Sequence, residues 1–199
     1  MKQTINKKLY VPKIVVILSV LASLLTGLTG YYLVQKTDAQ GDLEFRDFDK
    51  KRDEQFIREA FKRDLYWLVE NPEFDVDFMM DNKAPNRNHP EFIGKLQIKV
   101  LFEKGKPAGF TTYYMVNFYE GKIQFIYVNP DFRNKGLAGK ITRYDIDQLF
   151  KMGAHIIKMN TRVDNAPAIK VYERIGFKET SRDHKFIDYQ IKRAITPIS

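Results

Sequence analysis

The sequence predicts one mixed-sheet α/β domain preceded by a single N-terminal membrane-spanning helix. Three observations carry that expectation. Ile14 to Val34 is a run of 21 residues without a charge, long enough as a helix to cross a hydrocarbon core of about 30 Å. Between Leu96 and Val128, three strand-length segments follow one another across short turns, the pattern of an antiparallel meander. From Ile123 to Phe177 the order becomes strand, turn, helix, strand, helix, and strand–helix–strand makes a parallel pair. The chain therefore divides into a basic flank (1–13), the apolar segment (14–34), a polar linker (35–42) and the domain (43–199).

Composition narrows the function classes. With 44% hydrophobic residues, 15 Phe and 11 Tyr in 199 residues, there is enough apolar material for a packed core. The chain has no cysteine, which excludes disulfides, cysteine-held zinc and a cysteine nucleophile; no metal is expected. A net charge of +8 points to nucleic acid only if it sits on the domain, and Lys2, Lys7, Lys8 and Lys13 carry four of those charges ahead of the apolar segment. The remainder shows no Lys/Arg run interleaved with aromatics, so a solvated surface is expected rather than a nucleic-acid partner.

The apolar segment reads as a single-pass anchor. Tyr10 on one side and Tyr31-Tyr32 on the other suit the two membrane interfaces. A cleaved signal peptide, with Thr37-Asp38-Ala39 as its cleavage site, is the rival, but the apolar run exceeds the roughly 7–15 residues of such a region. Ser19, Ser23 and Gly27 recur every four residues and offer a helix-pairing face, and so a homodimer. Lysines ahead of the span favour a cytoplasmic N-terminus with the domain on the far side. The cofactor argued below is expected in the cytoplasm, so the side of the membrane stays open.

Within the domain, Leu43 to Phe48 alternates and predicts the first strand. Asp53 is placed to cap a helix whose apolar face is Ile57, Ala60, Phe61, Leu65 and Leu68, ending at Asn71-Pro72. A short helix over 74–80 and a loop over 81–90 follow. Leu96, Ile98, Val100 and Phe102 alternate in a strand, and Lys104-Gly105-Lys106-Pro107 turns the chain. Phe110 to Tyr119 is a second strand, Glu120-Gly121-Lys122 a turn, and Ile123 to Val128 a third strand that stops at Asn129-Pro130 because proline has no N–H to extend a ladder. A helix over 137–152 buries Ala138, Thr142, Ile146, Leu149 and Phe150 and stops at Gly153. A strand from His155 to Arg162 leads to Asn165, which caps a helix with Ala168, Val171, Tyr172 and Ile175 on one face and Gly176 at its end. Strands at 177–180 and 185–192 complete the sheet.

The chemistry concentrates at Val128 to Lys140. Arg133-x-x-Gly136-x-Ala138 opens a helix with small residues, leaving backbone N–H groups uncovered at the positive end of the helix dipole, a seat for an anion such as phosphate. This element, followed at a suitable distance by Asn165-x-x-Ala168-x-x-x-Tyr172-x-x-x-Gly176-Phe177, resembles the acyl-CoA signature of the GCN5-related N-acetyltransferase (GNAT) superfamily. Two elements in the right order, each with its strand ahead and helix behind, are far more specific than either alone. The resemblance covers about Leu43 to the C-terminus.

The resemblance implies a GNAT-like acyl-CoA N-acyltransferase fold, acetyl-CoA as co-substrate and an amine acceptor, either a small molecule or a protein amine. It implies that the N–H groups of Asn134, Lys135, Gly136, Leu137, Ala138 and Gly139 hold the diphosphate, with Arg133, Lys135 and Lys140 adding positive charge. Main-chain groups of Ile126 and Val128 would bind the pantetheine amides, and the N–H of Tyr127 or Val128 would polarise the thioester carbonyl. Asn165 matches the family's pantetheine-binding residue, although a helix cap alone accounts for it. Tyr172 matches the general acid that protonates the departing thiolate; a phenol with a reference pKa of about 10 remains a donor at neutral pH. Read without the resemblance, Tyr172 is a core tyrosine.

A general base is the missing part. Many relatives carry a glutamate on the strand before the motif, where this chain has Gln124, which cannot act as one. Glu120, His89, Asp75 and Asp77 are weaker candidates, with a water chain as the alternative. The rival function is therefore a catalytically degenerate, membrane-anchored acyl-CoA-binding module.

Overall fold

The computed structural model describes residues 43–69, 73–81 and 95–194. Seven strands form one sheet in the order β1-β2-β3-β4-β5-β7-β6, with β1 Leu43–Asp47, β2 Gln97–Glu103, β3 Lys106–Met115, β4 Glu120–Val128, β5 Ile156–Arg162, β6 Lys178–Arg182 and β7 Phe186–Lys192. Helices α1 (Lys50–Leu68), α2 (Val76–Met80), α3 (Leu137–Lys151) and α4 (Ala166–Ile175) complete it, with a 3₁₀ turn at Pro130–Phe132. The predicted meander β2–β3–β4 is antiparallel, and β4–β5 is the predicted parallel pair.

Among the described residues, the two larger of three buried clusters lie on opposite faces of the sheet, because neighbouring residues of β3 point opposite ways. Phe110 and Tyr114 join Ile57, Ala60 and Phe61 of α1 and Met79 and Met80 of α2. Tyr113 and Met115 join Leu149 of α3 and Tyr172 of α4, with Ile157, Ile187 and Tyr189 from β5 and β7.

Local chemistry moves several predicted boundaries. The cap of α1 is Asp49, which accepts from the Arg52 N–H at 3.0 Å, while buried Asp53 accepts from the Asp49 N–H at 2.9 Å. The two carboxylates answer each other across the first turn, so the cap lies four residues earlier than expected. α1 ends at Leu68, short of Asn71-Pro72, which fall outside the described residues. The β3–β4 turn sits at Asn117–Tyr119 rather than at 120–122, because Asn117 Oδ1 accepts from the N–H groups of Tyr119 (2.9 Å) and Glu120 (2.8 Å). The buried face of α3 is Leu137, Ile141, Thr142, Asp145 and Leu149. That face is rotated by about one residue from the expected one, with a carboxylate at its centre.

Among the described residues no helix is long and apolar enough to cross a membrane. The expected anchor at 14–34, its pairing face, the linker and His89 with residues 82–90 all lie outside the described residues.

Candidate active site

β4 and β5 pair over only three positions, Glu120–Ile156, Gly121–Ile157 and Lys122–Lys158. Beyond them the strands part, and a cavity of about 770 Å³ opens between their later halves. Ile123 to Val128 line one wall and Met159 to Arg162 the other; the turn and first residues of α3 close one end, while Asn165, Val171 and Tyr172 from the α4 side complete it.

A bulge in β4 shapes the first wall. The β3–β4 register runs Thr112–Phe125 and then Tyr113–Ile123, so Gln124 is an extra residue without a partner on β3. In a regular strand Ile123 and Phe125 would share one face; here Ile123 packs with α3 and Phe125 with α1. Past the bulge, backbone directions are set by two contacts. Thr111 Oγ1 lies 2.8 Å from Phe125 O, and a Cβ added to Gly109 would run into Tyr127 O. Both carbonyls therefore face β3. A planar trans peptide points its N–H opposite to its C=O, so the N–H groups of Ile126 and Val128 face the cavity. Tyr127, in contrast, turns its main-chain groups to β3 and its ring into the α1 core. Tyr127, one of the two donors expected for a thioester carbonyl, is thus turned away from the cavity, and the N–H groups open to it are those of Ile126 and Val128.

The helix start with uncovered N–H groups lies where the spacing predicts. Gly136 caps α3 with φ +75, and Asn134 also has positive φ (62). The N–H groups of Leu137, Ala138 and Gly139 have no helical carbonyl within reach, whereas that of Lys140 already donates to Gly136 O at 3.2 Å. A Cβ on Gly136 would meet nothing within 4 Å. Arg133, Asn134, Gly136, Leu137, Ala138 and Gly139 line the cavity; Lys135 and Lys140 do not. Lys135 instead pairs with Glu103 at 2.9 Å and covers the Phe132 ring. Arg133 has a second duty, since its Nε donates to Val128 O at 3.0 Å and its guanidinium pairs with Asp64 at 3.0 Å.

Asn165 is both cap and lining: its Oδ1 accepts from the Ala168 N–H at 3.3 Å, and it borders the cavity. Tyr172 is 7% exposed, borders the cavity, and its hydroxyl has no hydrogen-bond partner among the described residues. Burial, and then the nearby Asp145 carboxyl, push its pKa above the usual phenol value. It is therefore a proton donor across the physiological range.

Base candidates fare differently. Asp75 caps α2, accepting from the Phe78 N–H at 2.9 Å; Asp77 pairs with Arg58; Glu120 pairs with Lys158 at 2.7 Å. None of the three borders the cavity, where Asp64 is the one carboxylate among the described lining residues, and Arg133 holds it.

Two groups escaped the sequence reading. The last turn of α1, kinked at Asp64 (φ −119, ψ 27), brings Asp64, Trp67, Leu68 and Val69 to the cavity. It is held to the β5 side by Arg162, which donates to Tyr66 O and Val69 O, and by the Tyr66 hydroxyl on Asp164 (2.7 Å). The other group is Asp145, buried on α3, whose Oδ2 lies 2.6 Å from Thr111 Oγ1. An i, i+4 series of Leu137, Ile141, Asp145 and Leu149 would have placed it on the buried face.

Splayed parallel strands, an anion-ready helix start and a buried phenol define a cleft for a phosphorylated carrier with a long thin arm. Comparison with known proteins agrees. A profile of the Acetyltransferase (GNAT) family matches residues 46–177, and the chain belongs to that family. It is 35% identical over 81 residues to the [ribosomal protein bS18]-alanine N-acetyltransferase of Escherichia coli K12, covering 41% of this chain and 54% of that one. To N-alpha-acetyltransferase 30 of Schizosaccharomyces pombe it is 33% identical over 66 residues, covering 33% and 44%. The matches thus span about half the length of these relatives. The same fold occurs in yncA of Salmonella typhimurium, solved with its cofactor acetyl-CoA (TM-score 0.60, 19% identity, 79% of this chain and 99% of that one). It occurs too in spermidine N-acetyltransferase of Vibrio cholerae with CoA and spermine (TM-score 0.61, 20% identity, 77% and 96%).

Proposed function

We propose that this chain is an N-acetyltransferase that moves an acetyl group from acetyl-CoA to a primary amine, with its domain tethered to a membrane by residues 14–34. The observation that carries the reading is the convergence on one cavity of the anion seat, two open strand N–H groups and a buried tyrosine. The site fits the carrier: Leu137 to Gly139 present N–H donors for the diphosphate, with Arg133 at the same end. Acetyl-CoA supplies an acetyl thioester. The Ile126 and Val128 N–H groups are aimed to receive the pantetheine arm and the thioester carbonyl, whose developing charge such donors stabilise by about 2.7–4 kcal/mol. Tyr172 donates the proton that leaves with the thiolate, and its raised pKa keeps that proton in place.

The acceptor is an amine, in keeping with relatives named for a ribosomal-protein alanine and for spermidine. Its deprotonation falls to water, because Gln124 is no base and Asp64 is committed to Arg133. Those same two facts favour a second reading, a CoA-binding module without turnover. The test is acetyl-CoA consumption by the full chain against peptides with a free N-terminal alanine, spermidine and an aminosugar. Turnover of any one that Tyr172→Phe abolishes supports the enzyme; tight CoA binding with no turnover supports the module. For the tether, partition of the full chain into a detergent phase, lost when residues 1–36 are removed, is the expected result.

A further inference from the structure

Asp145 is 0% exposed, and no cation acts on it among the described residues. Among the described residues its one polar partner is the Thr111 hydroxyl on β3, at 2.6 Å from Oδ2, and Oδ1 has none. The same hydroxyl lies 2.8 Å from the Phe125 carbonyl, one residue past the bulge. Three oxygens thus share two short contacts. A hydroxyl has one proton. If it goes to Phe125 O, which can only accept, the contact with Asp145 requires a proton on the carboxyl. A neutral acid also suits the site, since an unpaired buried carboxylate is costly while a carbonyl oxygen without a partner is tolerable.

We infer that neutral Asp145 is a positioning residue that, by donating to Thr111, which donates to Phe125 O, holds the Phe125–Ile126 peptide with its N–H aimed into the cavity at the acyl carbonyl. The bulge is why such a pin is needed. Gln124 interrupts the β3–β4 ladder immediately before this peptide, and on its other side β5 has already diverged. No neighbouring strand braces the cavity side, so the orientation of the peptide rests on the β3 side, where the Thr111 hydroxyl reinforces it. Burial of Asp145 and its raised pKa accord with the neutral form. The titratable groups that face it are Tyr113 on β3 and Tyr172 on α4, both neutral phenols whose own pKa values are raised.

This inference rests on the acetyltransferase reading, and the experiment separates the two. Binding of CoA and of acetyl-CoA to the full chain is measured by calorimetry, and the Ile126 amide proton is followed by NMR in each complex. CoA lacks the acetyl carbonyl, so the shift difference between the complexes reports the donor itself. The parent shows a downfield difference; Thr111→Val loses at least about half of it while CoA affinity stays within about three-fold; Asp145→Asn, a neutral donor of similar shape, keeps it. An infrared difference spectrum, parent minus Asp145→Asn, carries the C=O band of a protonated acid at neutral pH. A carboxylate band in its place overturns the inference, and so does a full shift difference in Thr111→Val or its loss in a folded Asp145→Asn. A parent that binds neither ligand overturns the acetyltransferase reading, and this inference with it.

Discussion

Replacing Gly136 by aspartate tests the carrier end of the cleft. Gly136 has φ +75, where a side chain costs roughly 1–2 kcal/mol. That cost falls on folding, because φ is already positive here in the absence of a ligand. The space around it is open, with nothing within 4 Å of an added Cβ, so sterics against the protein add little. The charge is what reaches the ligand. A carboxylate about 4 Å from one phosphate, at an effective dielectric near 20, is repelled by about 4 kcal/mol, and screening lowers this further. At 1.4 kcal/mol per decade, acetyl-CoA affinity is expected to fall roughly 10²- to 10³-fold. Gly136→Ala makes the same backbone demand without the charge and should bind within about three-fold of the parent. Calorimetric titration of the full chain, with circular dichroism to confirm folding, decides. A folded aspartate variant that binds acetyl-CoA within three-fold of the parent would refute the assignment of this helix start to the diphosphate.

Other outcomes follow from the same geometry. Tyr172→Phe should lower kcat by about 10²-fold or more with KM nearly unchanged. It should also leave the melting temperature close to the parent's, since the hydroxyl has no partner to lose among the described residues; a large drop in melting temperature would mark a structural tyrosine. Because the pKa of Tyr172 is raised, the acid is still protonated near pH 10 and kcat should not decline below that point; a falling limb there that disappears in Tyr172→Phe would contradict the raised pKa while assigning the limb to Tyr172. The carboxyl of Asp145 is raised well above 3.8 by burial, so the unfolded chain gives up this proton first. Its stabilising contribution is complete below about pH 4 and drains away as pH rises toward the folded value. Denaturant titrations should therefore show Asp145→Asn gaining on the parent between pH 4 and pH 8, and a constant gap would mean that Asp145 is ionised. Gly109→Ala forces a Cβ into Tyr127 O, and Gly121→Ala brings one to 2.8 Å from the Leu149 side chain. Leu149 can shift, at about 1–3 kcal/mol; a backbone carbonyl cannot, so Gly109→Ala should melt at the lower temperature.

What could be read from the residues was whatever is encoded locally. Gly136 and Ala138 behind Arg133 announce an uncovered helix start, and Asn165 followed by Pro167 announces a cap. Both are where they were expected. Lys135 and Lys140 are expected at the anion for their charge, but neither lines the cavity, and Glu103 on a distant strand claims the first. Tyr127 against Val128 is a question of which way a peptide faces, and that depends on the register with β3, which no local pattern carries. The bulge at Gln124 has the same origin. Asp145 was hidden by its type, since a carboxylate within a helix is ordinarily a solvated one. The last turn of α1 reaches the site through Arg133 and Arg162, some 69 and 96 positions away in sequence, a span over which single-sequence patterns say nothing.

That turn has a consequence of its own. The two diverging strands are joined at their base by three residue pairs, and across the gap by one short piece of helix that reaches Arg133 on one bank and Arg162 and Asp164 on the other. It is a bridge, and its span fixes the width of the channel beneath. The residues that set this width, Asp64 and Tyr66, are near neighbours of Trp67, which also lines the channel. Aperture and lining are therefore written in a single turn of helix. A chain that exchanged those few residues would alter both at once, leaving the carrier seat at Gly136 and the phenol at Tyr172 as they are.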